Sequence, residues 1–451
     1  MLPVRIEEDR LIWQEQIRAI EEAKKLHEVL AAAWQLASHL TIWIVERSLM
    51  ERAEQRTEWS QCSCCGKGLE SKGMLPRQIK TILGDIHWKR RVGRCPAGCE
   101  IGQVVPFDEE LGLKPNQQTD EGLKHKACLL AVFVPFETAA MLLKQLTQRK
   151  VSATSIWGWV QAAGKKLEAQ LEDELRKLEQ GIYPAEDQAL SEHAQHPLLI
   201  GADGVMVPFR PNGGQARGKI RWREVKVGIL ARLVSRPNRS GVLVSRLEQR
   251  RLVAMVGHIS DFAPRLRLEA LRQGIDQAGC VVWLSDGAAG LWCLFDLHFA
   301  SYAQGVLDFY HATQNLWSGA KAWMGGRSRQ TKSWFQEARH RLRHGQTDDV
   351  LAELLASADL PDLSDAARAT IKRVHTYLDK HREHIQYQHL KESGLPIGSG
   401  LVESACKWLI QQRFKGVGMR WGEQSFTHLL LLRLAWVNGR FDDCFSSSPK
   451  F

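Results

Sequence analysis

Three carboxylates stand where the chain could bring them to one metal site. Asp203 and Asp286 each follow a short apolar run and precede a glycine, and Glu403 lies near the start of a helix-like run. Carboxylate oxygens are the ligands that Mg²⁺ prefers, and two such ions about 3.5–4 Å apart can promote phosphodiester cleavage. Each acid also has a simpler interpretation. Asp-Gly after a strand is commonly a turn, and Glu403 could pair with Lys407 one helical turn later.

A second group of candidate ligands is formed by cysteines. Five of the ten cysteines fall between Cys62 and Cys99, a clustering that indicates metal rather than disulfides in a non-secreted chain. Cys62 and Cys65 form one C-x-x-C knuckle, and Cys95 and Cys99 form a second that is one residue longer. Four thiolates close a tetrahedral site, so a structural zinc is expected. Cys64 is a competing ligand, and unliganded cysteines are the alternative.

The elements that would position these ligands follow from local pattern. Between the knuckles, two apolar strands flank Gly84-Asp85, a plausible two-residue hairpin turn, and a hairpin with two knuckles is the zinc-ribbon layout. Residues 1–58 have a helical apolar stripe, for packing or self-association. Residues 119–180 are also predicted to be helical. There, Ser152 is a candidate N-cap for a helix carrying Ser155, Trp159 and Gln161, and the short connection before it suggests a helix-turn-helix.

From Pro197 the pattern changes to strands. Apolar runs end at Asp203 and at Asp286, and a third runs from Gly305 to His311. Because these runs alternate with helix-like segments, the sequence predicts an α/β domain with a mixed sheet. Residues 312–392 are expected to be a helical insertion. The loop Leu395–Gly400 then leads into a helix whose apolar residues recur at helical spacing: Val402, Ala405, Cys406, Leu409 and Ile410.

The bulk properties restrict the class of partner. The chain has 451 residues, a net charge of +10 and a pI near 9.1, which favours a polyanion such as DNA. We expect no uncharged apolar run to be long enough for a membrane span, and the N-terminus lacks a secretory pattern. The expectation is therefore a cytoplasmic, nucleoid-associated protein without a membrane partner.

Several blocks together resemble a DDE transposase of bacterial insertion sequences, nearest to the Kra family. The similarity covers roughly residues 60–440, and the block around Glu403 is the most specific. The blocks are the two knuckles, Pro106-Phe107-Asp108, Leu111-Gly112-Leu113, Gly201-Ala202-Asp203-Gly204, Leu284-Ser285-Asp286-Gly287, Leu307-Asp308-Phe309-Tyr310-His311, Gly394 to Ser404, and Lys415 to Trp421.

The resemblance implies an RNase H-like catalytic domain in which Asp203, Asp286 and Glu403 hold two Mg²⁺ (or Mn²⁺) ions. It also implies DNA cleavage at the element's ends, followed by attack of the freed 3′-hydroxyls on target DNA. The partners would be the terminal repeats and target DNA, with at least a homodimer at synapsis. Basic and aromatic residues after Glu403 would contact the strand: Arg413, Lys415, Arg420 and Trp421. The Asp308-x-x-His311 pair resembles an accessory motif, the alternative being a core-facing histidine at a strand end.

The expected architecture is multidomain α+β. Its parts are an N-terminal helical region (1–58), a zinc ribbon-like module (59–110), a helical region with a possible helix-turn-helix (111–196), the catalytic domain (197–440, with the insertion at 312–392) and a C-terminal tail (441–451). The main alternative is a DNA-binding regulator built on an inactive scaffold, which would leave the three acids idle. A glycosidase using an acid pair is a third interpretation, and the basic tail after Glu403 argues against it.

Overall fold

A computed structural model describes residues 2–101, 104–186, 194–211, 218–326 and 328–445. Parts of the expected linker before Pro197 and of the C-terminal tail lie outside these ranges. The chain divides into two compact units. The first contains residues 1–160 and 445–451, and the second contains residues 161–444.

The first unit is built of helices around a two-stranded antiparallel hairpin. The hairpin strands are β1 (Glu70–Lys80) and β2 (Asp85–Arg94). The helices are α1 (Leu2–Glu22), α2 (Leu26–Glu54), α3 (Pro106–Glu110), α4 (Glu121–Phe133) and α5 (Phe136–Thr147), followed by the start of α6 (Ala153–Glu179).

The hairpin turn differs from the two-residue turn expected at Gly84-Asp85. The last strand pair is Lys80 with Asp85, so the turn has four residues, and Thr81 N–H donates to the Gly84 carbonyl at 2.8 Å. Gly84 has a φ of +155°, and a Cβ there would lie 2.6 Å from Cδ1 of Ile42 on α2. The glycine is therefore needed for the close approach of α2 and for its backbone conformation.

Helix α2 has an unusually apolar surface. By length and composition alone it could cross a membrane, and none of its most apolar window is buried. The expectation about uncharged apolar runs did not single out this helix. Part of the helix packs in the hairpin core, where Ile42 and Val45 contact Ile79 and Trp88. Four of its large apolar side chains are exposed, namely Leu26, Leu30, Trp34 and Ile44.

The second unit contains a five-stranded mixed sheet in the order β5-β4-β3-β6-β7, in agreement with the α/β pattern predicted from Pro197. Strands β3, β4 and β5 form an antiparallel meander, and β6 and β7 continue parallel to β3. Their bounds are β3 (Leu198–Phe209), β4 (Arg221–Pro237), β5 (Leu243–Val256), β6 (Val281–Ser285) and β7 (Ala303–Leu307). The central strands read as continuous apolar runs because both of their faces are covered.

Helices cover the sheet and follow its last strand. They are α7 (Ile259–Arg272), α8 (Ala289–His298), α9 (Phe309–Met324), α10 (Arg329–Arg343), α11 (Thr347–Ala358), α12 (Asp365–Lys380), α13 (Tyr387–Glu392), α14 (Gly400–Ala405), α15 (Gln412–Phe414) and α16 (Glu423–Val437). The segment between residues 312 and 392 is helical apart from its connections, and its apolar side chains share one core with β6 and β7. The helices of this segment therefore pack directly on the edge of the sheet.

Helix α6 offers a matched pair of glycines for testing close packing. At Gly164 a Cβ would lie 2.3 Å from Cβ and 2.5 Å from Cα of His428 on α16, whereas at Gly158 a Cβ would meet nothing within 4 Å. We expect Gly164→Ala to destabilise the protein by about 1–3 kcal/mol through overpacking. Gly158→Ala should stabilise it by up to about 1 kcal/mol through helix propensity. Chemical denaturation measures both, and equal effects would contradict the proposed helix contact.

Candidate functional site

The strand register places three aspartates in a row. Ala202 pairs with Ser285, and Ser285 pairs with Leu307. Asp203, within β3, therefore lies level with Asp286 and Asp308, the residues that directly follow β6 and β7. Successive side chains along a strand alternate between the faces of a sheet, so in-register neighbours share a face. Asp203 and Asp286 are half-buried and Asp308 is buried.

The helix carrying Glu403 packs on this same face of the sheet. A Cβ at Gly201, two residues before Asp203, would lie 3.1 Å from Cγ2 of Val402 on α14. Gly201 and Asp203 share a face because they are two residues apart. Glu403 follows Val402 and is exposed, and its carboxylate lies 3.8 Å from Lys407 Nζ. The structure therefore contains the ion pair between Glu403 and Lys407 that the simpler interpretation expected. The helix that carries Glu403 also packs against the sheet.

A π-helical turn after α14 places Cys406 in contact with Asp203. The turn covers Cys406–Gln411, and Cys406 Sγ lies 3.8 Å from Asp203 Oδ2. Burial, followed by the charge of Asp203, raises the pKa of Cys406 to about 12, so the thiol stays protonated and can donate to the carboxylate. Single π turns are frequent at functional sites. Helical spacing predicted the buried face here but gave no sign of the altered turn.

The π turn has a clear source of stabilisation. Arg433 on α16 is buried and donates to the carbonyl oxygens of Leu409 at 2.8 Å and Trp408 at 2.7 Å. These bonds satisfy carbonyl groups within the wider turn, which would otherwise be costly to bury. The ring of Trp408 packs 5.6 Å from that of Trp436 and lies under the Arg433 guanidinium. Trp408 is thus a packing residue.

Asp308 is the most tightly held acid of the row. Its side chain is 1% exposed. It accepts hydrogen bonds from the backbone N–H and Nδ1 of His311, at 2.8 and 3.1 Å, and from the backbone N–H of Ser399. Burial opposes its ionisation, but these bonds outweigh burial and lower the pKa of Asp308 to about 2. Ser399 is the residue immediately before α14. Its hydrogen bond to Asp308 therefore joins the end of β7 to the loop that leads to Glu403.

His311 lies in the first turn of α9, not in a strand, because β7 ends at Leu307. Its side chain is about one third exposed, so the alternative of a core-facing histidine at a strand end is wrong. The hydrogen bond to Asp308 is the main cause that raises the pKa of His311, and the charges of Asp286 and Asp203 add to it. A cationic imidazole beside these aspartates reduces their mutual repulsion.

The two other aspartates, Asp203 and Asp286, have different surroundings. Burial is the main cause that raises the pKa of Asp203, and the negative charge of Asp286 raises it further. One oxygen of Asp286 accepts a hydrogen bond from Ala288 N–H at 2.9 Å. Tyr377 on α12 also borders this pair, since a Cβ at Gly287 would lie 2.2 Å from its hydroxyl oxygen. No sequence signal near Tyr377 pointed to this contact, which depends on how the helical segment folds back.

The three proposed metal ligands do not form a compact cluster in this structure. Among the described residues, one group of three or more metal-binding side chains has all its ligand atoms within 4.8 Å of one another, and it is the four cysteines. Asp203 lies in β3 and Asp286 directly follows the neighbouring strand β6, and α14, the helix that carries Glu403, packs on the face of the sheet that bears Asp203. Their oxygen chemistry fits Mg²⁺ or Mn²⁺, but their carboxylates are not drawn together.

The cysteine cluster brings together the four expected ligands, Cys62, Cys65, Cys95 and Cys99. Cys65 Sγ lies 3.5 Å from Cys95 Sγ, close to the about 3.8 Å separation of sulfurs in a tetrahedron with Zn–S bonds of about 2.3 Å. Burial acts to raise the pKa of Cys95, but backbone N–H groups of Cys99 and Ala97 outweigh it and lower the value to about 6. This donor set could hold a structural zinc, and Cys64 stays outside it.

The expected DNA-contacting residues divide into two groups. Lys415 and Arg420 are exposed. Arg413 is 2% exposed and Trp421 is 9% exposed, and this burial contradicts their expected contact with DNA. The guanidinium of Arg413 lies 5.4 Å from the centroid of the Trp421 ring, and the backbone of Trp421 is hydrogen-bonded to the end of β3 at Pro208 and Arg210. Both residues fix the segment after the π turn to the sheet.

The expected helix-turn-helix corresponds to α5 and α6, joined by residues 148–152. Ser152 Oγ accepts from Ser155 N–H at 3.0 Å, as an N-cap does. Helix α6 continues to Glu179, so the charged residues after Gly164 belong to the same helix as Ser155 and Gln161. Gln161 is bonded to His428 Nδ1 at 2.8 Å, so its side chain is engaged within the second unit.

Comparisons with known proteins give little additional information. No family model matches the chain, and no curated protein matches it. One similar solved structure is a Drosophila P element transposase strand transfer complex, with a TM-score of 0.33 and 11% identity over 73% of this chain and 94% of that chain. This weak structural neighbour is a transposase, but at such a TM-score the likeness carries no argument about fold or function.

The cysteine cluster predicts a specific response to mutation. We expect the purified protein to hold one zinc ion per chain, Cys65→Ser to lose most of it, and Cys64→Ser to keep it. Both residues are exposed neighbours, so the pair controls for general effects of the substitution. Metal analysis together with thermal unfolding measures the outcome. Equal zinc loss in both variants would contradict this ligand set.

The Asp308–His311 pair predicts how the stability and the His311 pKa depend on pH and on mutation of Asp308. The raised pKa of His311 means that the pair's stabilisation is fully present below about pH 6.5 and is lost as the pH rises through the raised value. Asp308→Asn removes the charge and one acceptor, so the His311 pKa, followed by NMR, should fall. His298, whose pKa is lowered by burial and by Arg267, is the internal control and should titrate unchanged. An unaltered His311 pKa would contradict the pairing.

Proposed function

We propose that this chain is a DDE transposase that cleaves DNA at the ends of an insertion sequence and transfers the freed strand ends into target DNA. The observation that carries the proposal is the register of β3, β6 and β7. It sets Asp203 level with Asp286, on the face of the sheet against which α14, the helix that carries Glu403, packs. A glycosidase or a purely structural role gives no reason for these acids on neighbouring elements in a chain with a net charge of +10.

The catalytic domain in this proposal is RNase H-like. Its support is the antiparallel meander continued by two parallel strands, with Asp203 within β3, Asp286 directly after β6, and a helical segment inserted before Glu403. The carboxyl ends of parallel strands are where α/β proteins place their binding sites. The finer assignment to the Kra family rests on the sequence blocks alone.

Asp203, Asp286 and Glu403 would hold Mg²⁺ or Mn²⁺, with two ions per site in this proposal. When bound, such ions stabilise the charge that develops on the attacking and leaving oxygens of a phosphodiester. Because Glu403 is exposed and its carboxylate is not drawn toward the aspartates, we infer that it moves inward when the cation and DNA bind. Val402 and Cys406 hold the helix against the sheet, so a change of the Glu403 rotamer would be sufficient.

The chain's own residues prepare this site. Cys406 donates toward Asp203 and can fix the direction of its carboxylate. His311 carries a proton on Nδ1 for Asp308 and places positive charge near Asp203 and Asp286. We assign Asp308 and His311 as positioning residues, since Asp308 is buried and has its bonds directed to His311 and Ser399 rather than to the open face.

The remaining partners are also proposals. DNA would be contacted by the exposed Lys415 and Arg420, and by the helix pair α5–α6. A homodimer or higher oligomer at synapsis would use α1 and α2, whose exposed apolar residues Leu26, Leu30 and Ile44 fall near one seam of α2. The proposed location is the cytoplasm, at the nucleoid.

The proposal is tested by separating DNA binding from cleavage. We expect Asp286→Asn and Glu403→Gln to bind DNA that carries the inverted repeats flanking the gene about as well as the wild type. Each should reduce Mg²⁺-dependent cleavage about a hundredfold or more, as does loss of a single group that stabilises developing charge. Glu392→Gln, at the end of α13, is the matched control and should cleave normally.

Two outcomes would count against the proposal. Cleavage by wild type that is no better than by either variant would remove the catalytic assignment and favour a DNA-binding regulator. A collapse of DNA binding in Glu403→Gln, with normal binding by Glu392→Gln, would show that Glu403 has a structural role.

A further inference from the structure

A second site adjoins the acids on the side of the helical segment. A cavity of about 290 Å³ is lined by Phe309, Tyr310, Arg339, Arg343, Ile397, Gly398 and Gly400. Its floor is the loop that leads to Glu403: Phe309 N–H donates to the Ile397 carbonyl at 2.9 Å, and the next turn is tied to Asp308 through Ser399. The loop from Ile397 to Ser399 therefore lies between the cavity and Asp308 and contacts both.

Two arginines form the charged side of this cavity. Arg339 and Arg343 are exposed and lie one turn apart on α10, so their side chains project from one face of the helix. Within the part of the chain that the structure describes, neither has an acidic partner. Two like charges at this spacing slightly disfavour a helix, and an anion bound between them would remove that repulsion.

The ring of Phe309 holds both guanidinium groups in place. Its centroid lies 5.5 Å from Cζ of Arg339 and 6.0 Å from Cζ of Arg343. Phe309 itself is buried, so it is a fixed platform under two flexible side chains. Cation–π contact of this kind orients the planar donors and lowers the entropy cost of binding a ligand.

The rest of the cavity suits a nucleotide strand. Tyr310 is 58% exposed and stands beside Gly398, where a Cβ would lie 3.1 Å from its ring. An exposed aromatic ring next to a pair of arginines is the combination that binds unpaired nucleotides, by stacking on a base and by hydrogen bonds to a phosphate. Gly398 admits the Tyr310 ring against the loop, and at Gly400 a Cβ would meet nothing within 4 Å, so the backbone there is open to a close ligand.

We infer that Arg339 and Arg343 bind a phosphodiester group of a single-stranded DNA segment beside the acidic site, with Tyr310 against the adjoining base. This inference rests on the proposed function and names a contact by which the helical segment positions the DNA strand. The sequence motifs gave no indication of it, because Arg339 and Arg343 come from a helix far along the chain from the loop at Ile397.

The test measures binding of a fluorescently labelled single-stranded oligonucleotide of mixed sequence by anisotropy, over a series of KCl concentrations. We expect Arg339→Ala/Arg343→Ala to weaken binding about 10-fold to 100-fold, the range for charge-assisted hydrogen bonds. The slope of log affinity against log salt should fall by about 0.7 for each phosphate that the variant no longer neutralises. Tyr310→Ala should weaken binding without changing that slope.

Matched variants separate specific contact from net charge. Arg339→Lys/Arg343→Lys keeps both charges but lacks the planar donors, and should give intermediate affinity. Arg239→Ala/Arg246→Ala removes two exposed arginines near the β4–β5 connection, at the opposite edge of the sheet, and should bind nearly as well as the wild type. Circular dichroism confirms that each variant is folded.

The outcomes distinguish this inference from the proposed function. If the wild type binds and cleaves DNA but the Arg339/Arg343 variant has unchanged affinity and salt slope, the inference is wrong and the proposed function stands. If the wild type neither binds nor cleaves DNA, the proposed function itself fails. Displacement of the oligonucleotide by micromolar nucleoside triphosphate would assign the cavity to a free nucleotide and overturn the assignment to a strand.

Discussion

The parallel pairing of β3, β6 and β7 is the constraint on which the candidate site depends. Because side chains alternate along a strand, a shift of one residue in the register would move an aspartate to the opposite face of the sheet. Because β6 and the first half of β3 are buried on both faces, such a shift would also exchange the side chains that pack on each face, and the close packing of the core opposes it. The packing of the core therefore fixes the strand register, and the register in turn fixes the positions of the aspartates.

The loop before α14 completes this arrangement from the other side. Asp308 accepts the Ser399 N–H, Gly201 admits Val402 against the sheet, and Cys406 reaches Asp203 through the π turn. Each contact uses a different interaction, namely a charge-assisted hydrogen bond, close packing at a glycine and a thiol donor. Together they bring a helix from a distant part of the chain to within reach of the aspartates, while Glu403 keeps the freedom of an exposed side chain.

The sequence was most informative where local pattern and chemistry coincide. The knuckles around Cys62 and Cys95 predicted the four-cysteine cluster, the apolar runs before Asp203 and Asp286 predicted buried strands, and the spacing from Val402 to Ile410 predicted the buried face of a helix. These features depend on residues that are near one another in the chain or on a simple period, so they can be inferred without knowing the tertiary fold.

Features set by tertiary contact could not be inferred in the same way. Arg413 was expected to meet DNA because it lies in a basic segment, but stacking on Trp421 and burial against the sheet decide its environment. His311 was placed in a strand because the apolar run gives no sign of where β7 stops and α9 begins. Tyr377, Arg339 and Arg343 had no signal at all, since their relation to the acids depends on how the helical segment folds back.

The position of that helical segment between Asp308 and Ser399 has a consequence for folding. The hydrogen bond between these two residues closes a long loop, and the entropy cost of closure falls when the intervening chain is already compact. We therefore expect the helices to form early through their local contacts, and the loop that contains Ser399 to pack against Asp308 late. An assembly order of this kind would keep the helix that carries Glu403 away from Asp203 and Asp286 until the surrounding scaffold is complete.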